Sequence, residues 1–505
     1  MTKIQDSFEI EPGPILPEEI KETFTADVVV VGAGTSGKAA AMTAAQAGAR
    51  VIQIDKHTMF RWNGGHVAAI DSRLQKKLGI KVDKEEVIRQ LMKYGNNMPD
   101  QRLVRLWAEH SGEVLDWLMD MTDADGIETR MYQWPQPPTF DYNKEYYPEF
   151  PVCHWHSYKG STTLNHGLAL ACVEKNALKI GVDIRYRTRA VRLLRGDKGR
   201  VTGIIARNPD GYYVQYNAGK AVVLCTGDYG SNPSLVQKYC PHAAEIARIR
   251  NIYMTRHDDL ELAPEPLNVG DGHLMGMWIG AVMSDIIHAP VSHSTIGSMG
   301  NAPFLRVNIH GDRYENEDVP GQSIANQLVR QPGKIVWQIY DSGWEEQVPN
   351  MGIGLGKFSQ PNDMLRNRVK EMAITADTLE ELARKMEIPV DTFMATVKRY
   401  NEFANNGKDL DFGKRADRMF PLDKPPFYAS TIQQEILVVL GGLNCTPGLQ
   451  PLDKDWQVIP GLYLAGNTVG NVFAIDYPTM CPGMTHGMAW VTGYFAGKYA
   501  AADKG

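Results

Sequence analysis

Apolar residues cluster in short runs separated by glycine turns. From Ala26 the chain reads ADVVVVGAGTSGKAAAMTAAQAGARVIQIDK. Four consecutive valines predict a buried strand, the glycines a turn, the alanine-rich stretch a helix and VIQI a second strand. This is a βαβ unit. AVVLCTGDYG (221–230) and VIPGLYLAG (458–466) predict further strands ending in glycine turns. Amphipathic spacing predicts helices over roughly 84–121, 162–179 and 376–405. Residues 131–158 carry nine aromatic residues and five prolines, which predicts an ordered loop rather than a linker. No internal repeat is present. Near the C-terminus, Gly466–Gly497 reads as a glycine-rich loop entering a helix, with no Lys or Arg between Lys454 and Lys498.

The 505 residues predict two or three domains. The net charge of −6 is concentrated in an acidic, proline-containing stretch over residues 1–25. That stretch lacks the basic start and apolar run of a signal peptide. No run is apolar and long enough to span a membrane, so a cytoplasmic location is expected. The absence of a basic stripe argues against nucleic-acid binding. The six cysteines are scattered without C-x-x-C spacing, so neither an iron–sulfur cluster, a haem nor another metal centre is expected.

Composition leaves function open, but the first glycine turn narrows it. Gly32, Gly34 and Gly37 form G-x-G-x-x-G, with Ala33, Thr35 and Ser36 between them, after a strand and at the start of a helix. Such a turn lets a pyrophosphate approach the backbone and offers it unpaired N–H groups at a helix N-terminus. Asp55, at the end of the next strand, is placed to accept hydrogen bonds from ribose hydroxyls, with Lys56 beside it. Asn63, Gly64 and Gly65 make a second loop soon after. An elongated dinucleotide touched from both ends of the chain suits FAD better than NAD. No second G-x-G-x-x-G follows a strand, so no NADPH domain is expected. Electrons are therefore exchanged with an external donor or acceptor, or with free substrates.

Several motifs in order resemble the FAD-dependent fumarate reductase/succinate dehydrogenase flavoprotein family, which includes ketosteroid dehydrogenases and urocanate reductase. They are VVVVGAGTSGKAAA, IDK, VVLCTGDYGSNP, VGDGHLMGMWIGA, VNIHGDRYENE, VKRYNEFANNGKDLDFG and IPGLYLAGN. The resemblance implies an α/β protein: a Rossmann-like FAD-binding domain over 24–287 and 439–505, with an α+β capping domain inserted at 288–438. Residues 1–23 form an acidic N-terminal extension. It implies non-covalent FAD, with Ala190, Thr226, Gly227, Asp228 and Asp271 around it and Gly466 and Asn467 near the flavin. The helix beginning at Pro482, Gly483 and Met484 would aim N–H groups at the flavin edge that becomes anionic on reduction.

The resemblance also locates departures. Where dicarboxylate-binding relatives carry an Arg proton donor, a His and a second Arg, this chain has Gly321, Val438 and Tyr477. Their remaining His falls near Ser292 or His293. A buried dicarboxylate needs cations. Their loss argues against fumarate or succinate unless Arg306 or Arg330 restores the charge. The expected function is an FAD-dependent reductase acting on an activated C=C bond of a neutral, aromatic or polycyclic small molecule. A dehydrogenase of the ketosteroid type and a reductase of the tetrahydrodaidzein type are the alternatives. Tyr477 is the first candidate for proton donor and His293 the second; Tyr314 and His486 are weaker. Cys481 has no nearby partner cysteine and reads as a buried thiol.

Overall fold

The computed structural model describes residues 7–132, 145–147, 149–161, 163–196, 199–250, 268–292, 294–352 and 360–505. The predicted βαβ unit is present: strand β1 (Ile20–Val31), helix α1 (Thr35–Gln46) and strand β2 (Val51–Ile54). Val28, Val29 and Val30 have no exposed surface, as expected of a strand covered on both faces. The sheet continues through β3 (Asp183–Arg185), β4 (Arg189–Arg195), β5 (Val201–Arg207), β6 (Tyr213–Leu224) and β7 (Leu462–Leu464). Its order is β3-β2-β1-β6-β5-β4, with β7 also on β6. The pairs β3–β2, β2–β1, β1–β6 and β6–β7 are parallel; β6–β5 and β5–β4 are antiparallel.

Helix α2 (Met484–Ala502) packs along α1. Small residues set that distance. A Cβ on Gly493 would lie 2.3 Å from Ser36 O, and one on Gly497 2.3 Å from Ala40 O. The N-terminal and C-terminal segments thus pack together on the same face of the sheet.

A second sheet is antiparallel and formed by residues 294–435. Its strands are Ser294–Ile296, Phe427–Glu435, Val336–Asp341 and Leu305–Asn308, with Ile374–Ala376 on Phe427–Glu435. It has hydrophobic clusters of its own, one around Leu305, Ile339, Phe393 and Val397 and another around Phe304, Tyr340 and Trp344. The chain enters and leaves this part through paired strands, Ala289–Val291 and Val438–Leu440.

Several elements differ from expectation. The segment 84–121 is two helices, Lys84–Tyr94 and Gln101–Ala124. Asn96 and Asn97 are left-handed between them (φ 52° and 57°), and Asp100 caps the second helix through the Arg102 N–H. The segment 376–405 is Leu379–Lys385 and Val390–Asn406, broken ahead of Pro389, because proline disfavours helix for the residue before it. The helix expected from 162 starts at Gly167. Strand β6 ends at Leu224, before the Thr226–Gly230 turn. Strand β1 starts at Ile20, so the expected boundary at residue 23 falls inside it. Of the aromatic loop, Ile127–Met131 and Cys153–Tyr158 pair as antiparallel strands, while residues 133–144 and 148 lie outside the described residues. Among the described residues no helix is long and apolar enough to cross a membrane, and no His/Cys/Asp/Glu group could hold a metal ion.

Candidate active site

A cleft runs across the C-terminal ends of β1, β2 and β6, where ligands bind open α/β sheets. Its floor is the first glycine turn. Gly32 has φ 110°, and a Cβ there would lie 2.1 Å from Cys225 O, so only glycine lets β1 and β6 meet at this point. Helix α1 starts beyond it with Gly34 as N-cap and no side-chain cap. Its first N–H groups are therefore left for an anionic ligand. Gly37 does not line the cleft; a Cβ on it would strike Gly32 O, so it serves the turn.

One end of the cleft is charged. Asp55 Oδ2 accepts the Ala33 N–H at 2.6 Å, and Oδ1 accepts the His57 backbone N–H and ring Nδ1–H, both at 2.8 Å. Burial opposes the Asp55 charge, but the His57 and Ala33 bonds outweigh it and hold the carboxyl below its ordinary value. His57 Nε2 lies buried in the cleft wall with no hydrogen-bond partner among the described residues, so the nucleotide end of a cofactor can bond it. Asp271 bridges Lys56 Nζ and Arg189 Nη2, each at 2.8 Å. Ala190, Thr226, Gly227 and Asp228 complete this side.

Asp228 is fully buried and accepts the Gly230 N–H, the Asn268 amide and the Val439 N–H. Burial nevertheless pushes its carboxyl up to about 6. A carboxyl raised in the folded state contributes stability below its unfolded value of 3.8, and that contribution is lost as pH rises through about 6. The stability of Asp228→Asn relative to the unaltered protein is therefore expected to increase between pH 4 and 7, by up to about 3 kcal/mol. Thermal midpoints across that range check it; a pH-independent difference would refute it.

The other end is made by Asn63, Gly64, Gly65, His66, Gly466, Asn467, Gly483 and Thr485, beside Val291, Leu437, Val438 and Tyr477. His486 lies one turn into α2. Its Nε2–H donates to Asn63 O at 2.6 Å, leaving Nδ1 to accept from the Thr35 hydroxyl at 3.2 Å. Thr35 in turn accepts from His166 Nε2 at 3.1 Å. Burial pushes His486 down to about 4 and His166 well below its ordinary value, so this ring chain is neutral and positions the loop 63–65 against α2.

Tyr477 is buried and lines the cleft. Its hydroxyl oxygen accepts the Met484 N–H at 3.1 Å at the start of α2. The expected anion-facing donor of Met484 is thus taken by Tyr477, and Met484 itself does not line the cleft. Burial pushes the phenol up, against the bonds from Thr485 and Met484 that favour phenolate.

The other anticipated positions are now placed. A Cβ on Gly321 would lie 2.2 Å from Asn301 Nδ2, so no side chain reaches out from there. Ser292 is buried and bonded to Gln322. Arg306 is buried against Glu315 at 2.8 Å, Arg330 is exposed, and neither lines the cleft. Tyr314 is half-buried and Cys481 buried, and neither lines the cleft. His293 lies outside the described residues. Among the described residues the cleft cations are Lys56, Arg61 and Arg189; the segments carrying Val291, Leu437, Val438 and Tyr477 have no Lys or Arg nearby in sequence. Sequence reasoning missed His57, Arg61, Trp62, Thr188, Arg189 and Asn268. Arg61 and Trp62 directly precede Asn63, and His57 directly follows Lys56, so these were within reach of the same argument; Thr188 and Arg189 come in with strand β4, and Asn268 by its bond to Asp228.

The groups present suit FAD: an uncapped helix start, a carboxylate for ribose, the His57 ring nitrogen and a second helix start at the far end. Comparison with known proteins agrees. The sequence profile of a family described as "FAD binding domain" matches residues 27–478. A vinyl phenol reductase of Lactiplantibacillus plantarum is 28% identical over 497 residues, spanning 94% of this chain and 96% of that protein. A fumarate reductase (cytochrome) of Shewanella frigidimarina is 29% identical over 469 residues, spanning 89% and 72%. The solved open conformation of a flavocytochrome c3 fumarate reductase has a TM-score of 0.71 at 26% identity, covering 99% of this chain and 83% of that one.

Proposed function

This chain belongs to the FAD binding domain family and is an FAD-dependent oxidoreductase acting on CH–CH groups; from that premise we propose that it reduces the C=C bond of a neutral, conjugated, aromatic or polycyclic substrate. The observation that carries the reading is the composition of the far end of the cleft. Val291, Leu437, Val438 and the Tyr477 ring line it, and the segments that supply them bring no cation. A carboxylate placed there would lose hydration without gaining a partner. An apolar, flat molecule gains from the same walls. The name of the full-length relative, vinyl phenol reductase, supports a neutral aromatic alkene as the class.

Reduced FAD supplies a hydride from N5 when bound. The chain supplies the rest. The first N–H groups of α1 hold the diphosphate, and Asp55 holds the ribose. Tyr477, steadied by the start of α2, donates a proton to the substrate carbon or to the oxygen conjugated with it. His293 is the second candidate for that donor. The antiparallel unit of residues 294–435 acts as the cap that excludes water over the substrate. FAD is held without a covalent bond, so acid precipitation is expected to release all the flavin. An external redox partner re-reduces it.

Holoprotein reduced with dithionite under anaerobic conditions tests the substrate class. Neutral conjugated alkenes such as 4-vinylphenol, enones or isoflavonoids are expected to reoxidise the flavin, and fumarate is not. Reoxidation by fumarate as fast as by the best neutral compound would overturn the reading. Flavin reduction by a saturated ketone would instead mark a dehydrogenase.

A further inference from the structure

Residues at or beside three positions where the resemblance placed dicarboxylate-binding side chains are linked to one carboxylate: Tyr477 directly, Gly321 through its neighbour Gln322, and Ser292 through Gln322. Asp476 precedes Tyr477. Its Oδ1 accepts from Gln322 Nε2 and from the Tyr477 N–H at 2.9 Å, and its Oδ2 accepts from Asn326 Nδ2 at 2.7 Å. Gln322 follows Gly321. Its Oε1 accepts the Ser292 N–H at 2.8 Å, and its two amide hydrogens are shared among Asp476 Oδ1, Ser292 Oγ at 2.8 Å and Pro290 O at 2.9 Å. Pro290 and Ser292 flank Val291 in the cleft wall. Asp476 is therefore tied to the neighbours of two cleft-lining residues, Val291 and Tyr477.

Gln322, Asn326 and the Tyr477 N–H all donate to this carboxylate, which favours its ionised form. Burial works the other way and raises its proton affinity. Among the described residues no Lys or Arg forms an ion pair with it. His242 bonds Asn326 Oδ1 at 2.8 Å and acts on the carboxylate through its charge without bonding it. Tyr94 and Cys240 are also titratable groups in its field. Backbone geometry also commits this loop. Ile475 is left-handed (φ 69°) and partly exposed, with its N–H on Ile287 O at 2.8 Å. That conformation is uncommon for a β-branched residue and turns the next side chain inward.

We propose that Asp476 is a specificity-determining residue whose unpaired negative charge, held by Gln322 and Asn326, keeps anionic molecules out of the substrate end of the cleft. This rests on the reading of that end as the substrate site. The charge is the inverse of a dicarboxylate clamp: loss of arginines removes attraction, and Asp476 adds repulsion.

Sulfite tests this without a known substrate. Its sulfur lone pair forms an S–N bond at flavin N5, the ring takes up the electron pair and a negative charge, and no other reactant is consumed. The FAD-loaded protein is titrated with sulfite, and bleaching of the flavin absorbance gives a dissociation constant. Weak binding is expected in the unaltered protein, and binding tighter by about tenfold or more in Asp476→Asn. Asp476→Glu keeps the charge and is expected to stay within about threefold of the unaltered protein. Asp476→Ser is the second uncharged replacement if the Asn variant fails to fold. Tightening in the Glu variant as well would assign the effect to loosened packing and overturn the proposal, as would no tightening in either uncharged variant. Failure of every neutral alkene to reoxidise the enzyme would strike the substrate reading and leave the sulfite result standing.

Discussion

Tyr477→Phe is expected to lower turnover by about 100-fold or more while leaving the bound FAD unchanged. The phenol is the acidic side chain in the apolar end of the cleft, and its oxygen is fixed by the Met484 N–H at 3.1 Å. Phenylalanine keeps the ring, and with it the packing on Phe473 at a centroid distance of 6.0 Å, so the wall of the cleft survives. The lost group is the proton source and a donor to any oxygen that gains charge as the double bond is reduced. Binding of the substrate ring is mostly apolar, so the loss is expected in kcat more than in KM. Burial raises the phenol above its ordinary value of 10, so it stays protonated across the neutral range and no alkaline loss of rate from Tyr477 is expected below about pH 10. Single-turnover reoxidation of reduced enzyme, with flavin content measured on the same sample, checks both points. A rate within about threefold of the unaltered enzyme would remove Tyr477 from the chemistry.

Gly32→Ala is expected to abolish FAD binding and to leave little folded protein. The added Cβ would meet Cys225 O at 2.1 Å, and φ is 110°. Neither β1 nor β6 can retreat, because Cys225 N–H already bonds Val31 O at 2.8 Å in the middle of the sheet. A clash against backbone added to an unfavourable φ costs several kcal/mol, on the order of 4 or more, against a whole-protein stability of about 5–15 kcal/mol. Gly48→Ala separates the two causes. Gly48 also has positive φ, 85°, but nothing lies within 4 Å of its Cβ position, so it carries strain alone and is expected to cost only about 1 kcal/mol. Soluble yield, flavin-to-protein ratio and thermal midpoint of both variants check the contrast. A yellow, folded Gly32→Ala protein would show that the β1–α1 turn can move.

What could be read from the sequence divides along a physical line. The strand of valines, the glycine turn and Asp55 are local signals: each residue type is demanded by its immediate neighbours. Breaks at Asn96–Asn97 and before Pro389 carry local signals too, but amphipathic periodicity continues across them and masks the interruption. The neutral ring chain of Asn63, His486, Thr35 and His166 has no sequence signal, since it joins segments far apart in the chain. Arg189 was equally silent, because strand pairing, not its surroundings in sequence, sets it on Asp271. Asp476 was passed over for a related reason. Comparison by motif asks which side chain replaced the arginine, and Tyr477 answers it; the charge came one residue earlier.

The closure of α2 over α1, and of β7 onto β6, has a consequence for how the protein is made. The cleft takes its floor from residues 32–66 and its far wall from residues 466–489. Until the ribosome has released that last stretch, the dinucleotide turn exists with only part of its binding surface. Flavin capture thus waits for that stretch, and a nascent chain stalled before residue 466 would emerge colourless however well its first βαβ unit had folded.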